Sequence, residues 1–365
     1  MAFELRVVNT IDAVAPEAWD ACAAGHPFVE HAFLKALETL GAFSRERGVL
    51  PRHALLMDST HGLVACAPAM LKWGTLREFG PELRWLRAGV EAGCFTWPKF
   101  QVGVPFFPVM GSKLLVRKGL PAEPLRTALI KGLQRLGQRE DKKSVFNVLH
   151  IDEAAARFCQ AQGALVAGEW HSMWTNTGFA NWQDYVTSIQ GHKRYQLRKE
   201  RRQAESHGLA FKVLRGRELT DEVLADYYEG HRRVCERYGG KPWLHASMYQ
   251  AIAREMPDAA MLMGYFDGTR WVAGSLKLHA PAESAIYSLQ WSEMDKLDSV
   301  PLDLICYRPI EYALAHNITK LDSGLAAQHK QLRGWQNVPV YHAHWFYNDE
   351  LKALAQKQMG RPIHQ

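Results

Sequence analysis

Neither a long apolar run nor a paired-cysteine motif occurs in this chain of 365 residues. No stretch approaches the roughly 18 apolar residues of a membrane span. The opening Met-Ala-Phe-Glu-Leu-Arg-Val-Val lacks the basic-then-apolar order of a signal peptide. The six cysteines (Cys22, Cys66, Cys94, Cys159, Cys235 and Cys306) are scattered, with no C-x-x-C among them. That pattern excludes the usual cysteine-based zinc motifs and a dense disulfide framework, and it fits reduced thiols in a cytoplasmic protein. A large net charge is missing too: 44 Lys and Arg against 38 Asp and Glu leave +6. This mildly basic balance permits an anionic partner without demanding one. No G-x-S-x-G elbow and no P-loop is present. What remains is a chain with 47% hydrophobic residues and 12 tryptophans, ample for packed cores. Its length predicts about two domains.

The hydrophobic pattern divides into two similar halves. In the first, Glu4 to Val8 reads as a strand, and Ala32 to Leu40 as a helix with Phe33, Leu34, Leu37 and Leu40 on its apolar face. His53 to Met57 and Leu63 to Leu71 form a hairpin around Ser59-Thr-His-Gly62. Lys99 to Pro108 is aromatic and β-like but interrupted by prolines, which suits an edge or bulged strand. Pro121 to Leu136 carries a helical leucine stripe. The second half repeats this plan: a helix from His245, a hairpin of Ala260 to Phe266 and Trp271 to Leu278 around Asp267-Gly268, and a strand from Ser284 to Trp291. A helix from Leu302 to His316 and a short strand from Thr319 to Asp322 complete it. The expected class is α+β, with domains at 1–168 and 169–365. An internal duplication accounts for the pattern, and two independent α+β domains of similar length would give it as well.

Two cationic segments stand out. Gly191-His-Lys-Arg-Tyr-Gln-Leu-Arg-Lys-Glu-Arg-Arg-Gln203 reads as a helix with Arg194, Arg198, Arg201 and Arg202 on one broad face. Like charges four residues apart repel, so the face is either a phosphate-binding surface or a solvated one. Asp322-Ser-Gly-Leu-Ala-Ala-Gln-His-Lys-Gln-Leu-Arg-Gly-Trp335 places His329, Lys330 and Arg333 behind Gly324, whose backbone freedom suits close approach to a ligand. His342 and His344 alternate on the strand that follows and share a face, but the sequence offers no third ligand at zinc spacing, and no metal site is expected. The coenzyme A loop of ordinary GNAT acetyltransferases has Arg or Gln, two residues, Gly, one residue, then Gly or Ala. Gln160-Ala-Gln-Gly163 puts Leu165 at the last position, and Gln134-Arg-Leu-Gly137 puts Arg139 there. A typical acetyl-CoA site is therefore not supported.

Five segments, in order along the chain, resemble the FemAB-like family of N-acyltransferases. They are Phe28-Val-Glu-His-Ala-Phe-Leu34, Pro98-Lys-Phe-Gln-Val-Gly-Val-Pro-Phe-Phe-Pro-Val-Met-Gly111, Lys193-Arg-Tyr-Gln-Leu-Arg-Lys-Glu-Arg-Arg202, Gly324 to Trp335, and Val338-Pro-Val-Tyr-His-Ala-His-Trp345. The resemblance implies two tandem GNAT-like domains, with mixed sheets flanked by helices. It also implies transfer of an activated aminoacyl or acyl group to an amine, with aminoacyl-tRNA the favoured donor. It implies donor binding by Lys193, Arg194, Arg198 and Arg201 of the basic helix, and by Gly324, Gln328, Arg333 and His344. Gln328 stands where the family has Glu, and Ala326 where it has Gln. Asp322 and His329 are therefore the expected proton-handling groups, with Lys330 at the developing oxyanion. Two alternatives stay open: an acyl-CoA-dependent N-acyltransferase, and a non-catalytic tRNA-binding protein on a decayed acyltransferase scaffold. No resident cofactor is expected. The acceptor is an amine of a small molecule or peptide.

Overall fold

A computed structural model describes residues 3–39, 42–74, 78, 80–139, 144–242 and 244–359. The chain forms two compact units, Met1–Trp170 with Pro339–Gln365, and His171–Val338. The 1–168 and 169–365 division expected from the sequence thus differs in the last 27 residues, which return to the first unit. Hydrophobic burial explains the return. Leu351 and Ala355 of the helix Asp349–Met359 pack with Trp85 and Leu86 of the helix Gly80–Glu91, and all four are at most 2% exposed. Burying two such faces removes several large apolar side chains from water, each worth about 1.5–3 kcal/mol.

In the first unit, Glu4–Val8, His53–Asp58, Gly62–Ala67 and Leu115–Val116 make a four-stranded antiparallel sheet in that order. The expected return strand from Leu63 to Leu71 is broken at Pro68, which has no N–H for a ladder. Ala69–Lys72 belongs instead to a second sheet, ordered Val49–Pro51, Ala69–Lys72, Lys99–Val102, Val145–Ile151 and Gln336–Phe346. The expected helices appear as His31–Thr39 and Ala122–Arg139. Leu40, placed on the first of them by periodicity, lies outside the described residues. Leu125, Leu129 and Leu133 of the second helix pack on the sheet residues Phe100, Phe146 and Val148.

The second unit has one mixed sheet, ordered Ala210–Arg215, Ala260–Asp267, Arg270–Ala280, Ala285–Glu293, Lys320–Leu325 and the C-terminal part of Leu165–Thr175. Only the pairing of Ala285–Glu293 with Lys320–Leu325 is parallel. The long helix Asp221–Arg237, capped by the Thr220 hydroxyl, was not read from the sequence. The segment read as one helix from Leu302 to His316 is α-helical at Val300–Leu302 and Arg308–Ala315. Between them, Asp303–Tyr307 widens into a π-turn, just before Pro309 removes an N–H from the ladder. This turn carries Cys306 and Tyr307 towards the Asp322–Trp335 loop.

Candidate active site

The parallel pairing in the second unit stops at Tyr287 and Asp322, although its strands continue to Glu293 and Leu325. Beyond that point the facing backbone edges no longer satisfy one another, which is where an incoming group can be bound. Lys277 lies opposite Ser288 in the neighbouring antiparallel pair and donates to its Oγ at 2.8 Å. It is 1% exposed; burial, reinforced by the charge of Lys330, lowers its pKa to about 7.

Asp322 is also buried. Its Oδ1 accepts from the Gly324 N–H at 2.7 Å, while among the described residues its Oδ2 has no hydrogen-bond partner. Gly324 has φ +69°, and a Cβ there would meet nothing within 4 Å. The glycine is thus required by the turn itself, and space is left above it. Lys330 Nζ donates to Ser323 O at 2.6 Å and Leu325 O at 3.2 Å, folding the loop over the end of its strand. Burial lowers its pKa, and the charge of Asp322 opposes that fall. His329 is exposed. Partial burial and the charges of Lys330 and Arg333 lower its pKa, so the imidazole is neutral near pH 7 and able to accept a proton.

Arg333 is fully engaged. Its Nε and Nη2 meet the two carboxylate oxygens of Glu200 at 2.8 and 2.5 Å, and Nη1 donates to His329 O at 2.6 Å. Glu200 also accepts from Tyr307 Oη at 2.7 Å and Gln196 Nε2 at 2.9 Å. Burial pushes the Glu200 pKa up, but these donors outweigh it and hold the carboxyl below its ordinary range. The loop, the π-turn and the basic helix Gly191–Glu205 are therefore locked through one carboxylate. That helix buries Leu197, Glu200 and Ala204 and leaves Tyr195 exposed. Arg194 donates to Thr187 O and Ile189 O, satisfying carbonyls at the end of the preceding helix. Arg201 pairs with Glu311 and Asp303 and lies over the Trp182 ring. Lys193 is half-buried, while Arg198, Lys199 and Arg202 face solvent.

His344 lies elsewhere, in the interior of the first unit. Its Nδ1 donates to Asn147 Oδ1 at 2.8 Å, and Asn147 Nδ2 donates to Glu82 at 2.6 Å. Glu82 and Glu78 in turn hold Lys99 at 3.2 and 2.7 Å, and Glu78 holds Lys72 at 2.9 Å. Burial, with the charges of His342 and Lys99, drives the His344 pKa well below its ordinary value.

The chain matches the FemAB-like family, peptidoglycan biosynthesis/recognition, over residues 10–361. It belongs to this family. Among solved structures it is similar to FemX, at 12% identity and a TM-score of 0.58, covering 93% of this chain and 98% of that one. The C-terminal domain of a putative lysylphosphatidylglycerol synthetase from Agrobacterium fabrum matches at 10% identity and a TM-score of 0.57, over 94% and 97%. A tandem GNAT protein from the clavulanic acid biosynthesis pathway matches at 12% identity and a TM-score of 0.50, over 95% and 99%. No curated protein matches the chain. The fold is thus the tandem GNAT arrangement, α+β with mixed sheets, and the FemAB-like protein is an acyltransferase.

Within this family member, the structure brings together four of the sequence-expected groups: Asp322, Gly324, His329 and Lys330. It places four others differently. Arg333, Arg201 and Arg194 are consumed by structural pairing, and His344 is buried in the other unit, because the chain returns there at Pro339. Gln328, where the family has Glu, is exposed at the start of the short helix Gln328–Gln331. This departure from the family pattern therefore falls outside the buried polar cluster. Sequence reasoning missed Lys277, Ser288 and Glu200. Lys277 had a visible signal, a charge set between Leu276 and Leu278 inside a largely apolar strand. Glu200 had one too, as the lone acid in the basic run Lys193 to Arg202, but its partner 133 residues away was not legible.

Proposed function

We propose that this acyltransferase moves an aminoacyl group from the ester of aminoacyl-tRNA onto an amine, with a peptidoglycan precursor as the acceptor class. The observation that carries the reading is the buried Asp322 carboxylate, one oxygen of which has no hydrogen-bond partner among the described residues, beside Lys330 at the opening of the parallel strands. The acceptor nitrogen attacks the ester carbonyl, an oxyanion develops, and the C–O bond to the ribose breaks. The proton shed by the attacking nitrogen goes to Asp322 Oδ2, or to neutral His329 at the rim. The group that took this proton then gives it up to the leaving ribose oxygen, so no net proton is gained or lost. Lys330, with Lys277 in its protonated form, supplies positive charge for the oxyanion in surroundings that strengthen it. No covalent protein nucleophile is needed, and positioning supplies much of the rate.

The solvent-facing cations Arg198, Lys199 and Arg202 support a polyanionic donor, since each phosphate contact releases a counterion. The absence of a coenzyme A loop at Gly163 and Gly137 also favours tRNA over acyl-CoA. Charged tRNAs and acyl-CoAs offered in parallel with a panel of amines test this directly. An amide product formed from charged tRNA is expected. A product formed only from acyl-CoA contradicts the donor assignment.

A further inference from the structure

We propose that the first unit contains a binding site for a zinc-class divalent transition ion, built from His150, Glu169 and His342. These residues come from three strands, Val145–Ile151, Leu165–Thr175 and Gln336–Phe346, and their ligand atoms all lie within 4.8 Å of one another. Glu169 Oε1 is 3.2 Å from His150 Nε2 and 2.9 Å from His342 Nε2. All three residues are at most 7% exposed. Ligand atoms at zinc bond lengths in a tetrahedron stand on the order of 3.3–3.5 Å apart, so small side-chain adjustments close the set around one ion. Two imidazole nitrogens and one carboxylate oxygen suit zinc or a neighbouring transition ion rather than calcium or magnesium, which take oxygen ligands.

The backbone is bent to make this meeting. Tyr341 pairs with Ile151 and Ala343 with Val148, so Leu149 and His150 both stand opposite the single residue His342. Such a bulge re-aims a side chain. His150 itself has φ +54°, a left-handed conformation inside a strand that a non-glycine residue adopts at a cost. The imidazole centroids of His150 and His342 end 4.6 Å apart. On the other side, Gly80 at φ +42° begins the helix Gly80–Glu91, and a Cβ there would collide with Glu169 Oε2. A bulge, a strained histidine and a glycine cradle thus converge on one carboxylate. His344, the expected companion of His342, stays outside the set. Its ring is parallel to that of His342 at 6.3 Å and bonded to Asn147. A bound ion would tie together residues distant in sequence and staple the returning strand into the first unit.

Untagged full-length protein, desalted and titrated with Zn²⁺ or Co²⁺, tests the site. About one equivalent per chain is expected, with visible Co²⁺ ligand-field bands that zinc displaces. Chelator should lower the wild-type melting temperature and zinc should restore it. His342→Gln and Glu169→Gln should weaken binding by 10-fold or more. Substoichiometric uptake, no cobalt bands and a melting temperature indifferent to zinc and chelator would overturn the proposal, leaving two imidazole N–H donors on one carboxylate. Undiminished binding in folded His342→Gln protein would overturn it as well.

Discussion

Lys277 carries an ammonium group into the interior of a sheet, where Ser288 Oγ receives it. Its pKa of about 7, against an ordinary 10.5, means that the unfolded chain binds the proton more tightly. The protein therefore gains stability as pH rises from about 7 towards 10.5, and the penalty is full below that window. Lys277→Met should then melt higher than wild type at pH 6 and lose that advantage by pH 10, while transfer activity falls. Thermal melts across pH, set beside activity assays, check both. Arg333 makes the opposite case. Arg333→Met strands Glu200 without its main partner and should cost about 3–5 kcal/mol of stability, read by denaturant titration. A donor-binding arginine would instead change substrate affinity and leave the melt unmoved.

The basic helix illustrates how much of an element a sequence reveals. Its span and its cationic character were legible from Gly191 to Gln203, because helical periodicity is local. The fate of each cation was not. Arg194 is spent on carbonyls five and seven residues back, and Arg201 on Glu311 and Asp303, more than a hundred residues away. Only the fold decides which charges remain for a partner. Arg198, Lys199 and Arg202 remain, and replacing the first two by Glu should weaken tRNA binding and flatten its dependence on salt by up to about two counterions, with an unchanged circular dichroism spectrum. The strand Lys320–Leu325 and its loop were legible for the same local reason, through Gly324 and the following His-Lys pair. The place where their parallel partner lets go was not, since strand register is set by contacts between distant segments.

At the scale of the whole molecule, the duplicated plan of helix, hairpin, strand and helix was visible in the hydrophobic pattern, and the family and fold comparisons agree with tandem GNAT units. What the pattern could not show is that Pro339–Gln365 belongs with the first unit, because Leu351 and Ala355 look alike wherever they pack. Truncation after Val338 should accordingly expose Trp85 and Leu86 and make the first unit sensitive to protease, while fragments from His171–Val338 resist digestion; limited proteolysis with mass mapping reads this. No helix among the described residues is long and apolar enough to cross a membrane. The asparagine variant of Asp322 can still accept the Gly324 N–H but can no longer take a proton. Initial rates of aminoacyl transfer from charged tRNA, measured for wild type and Asp322→Asn at matched thermal stability, test the role of Asp322 most directly. A loss of about 100-fold or more is expected if Asp322 takes the proton; an unchanged rate in the folded variant would contradict that role.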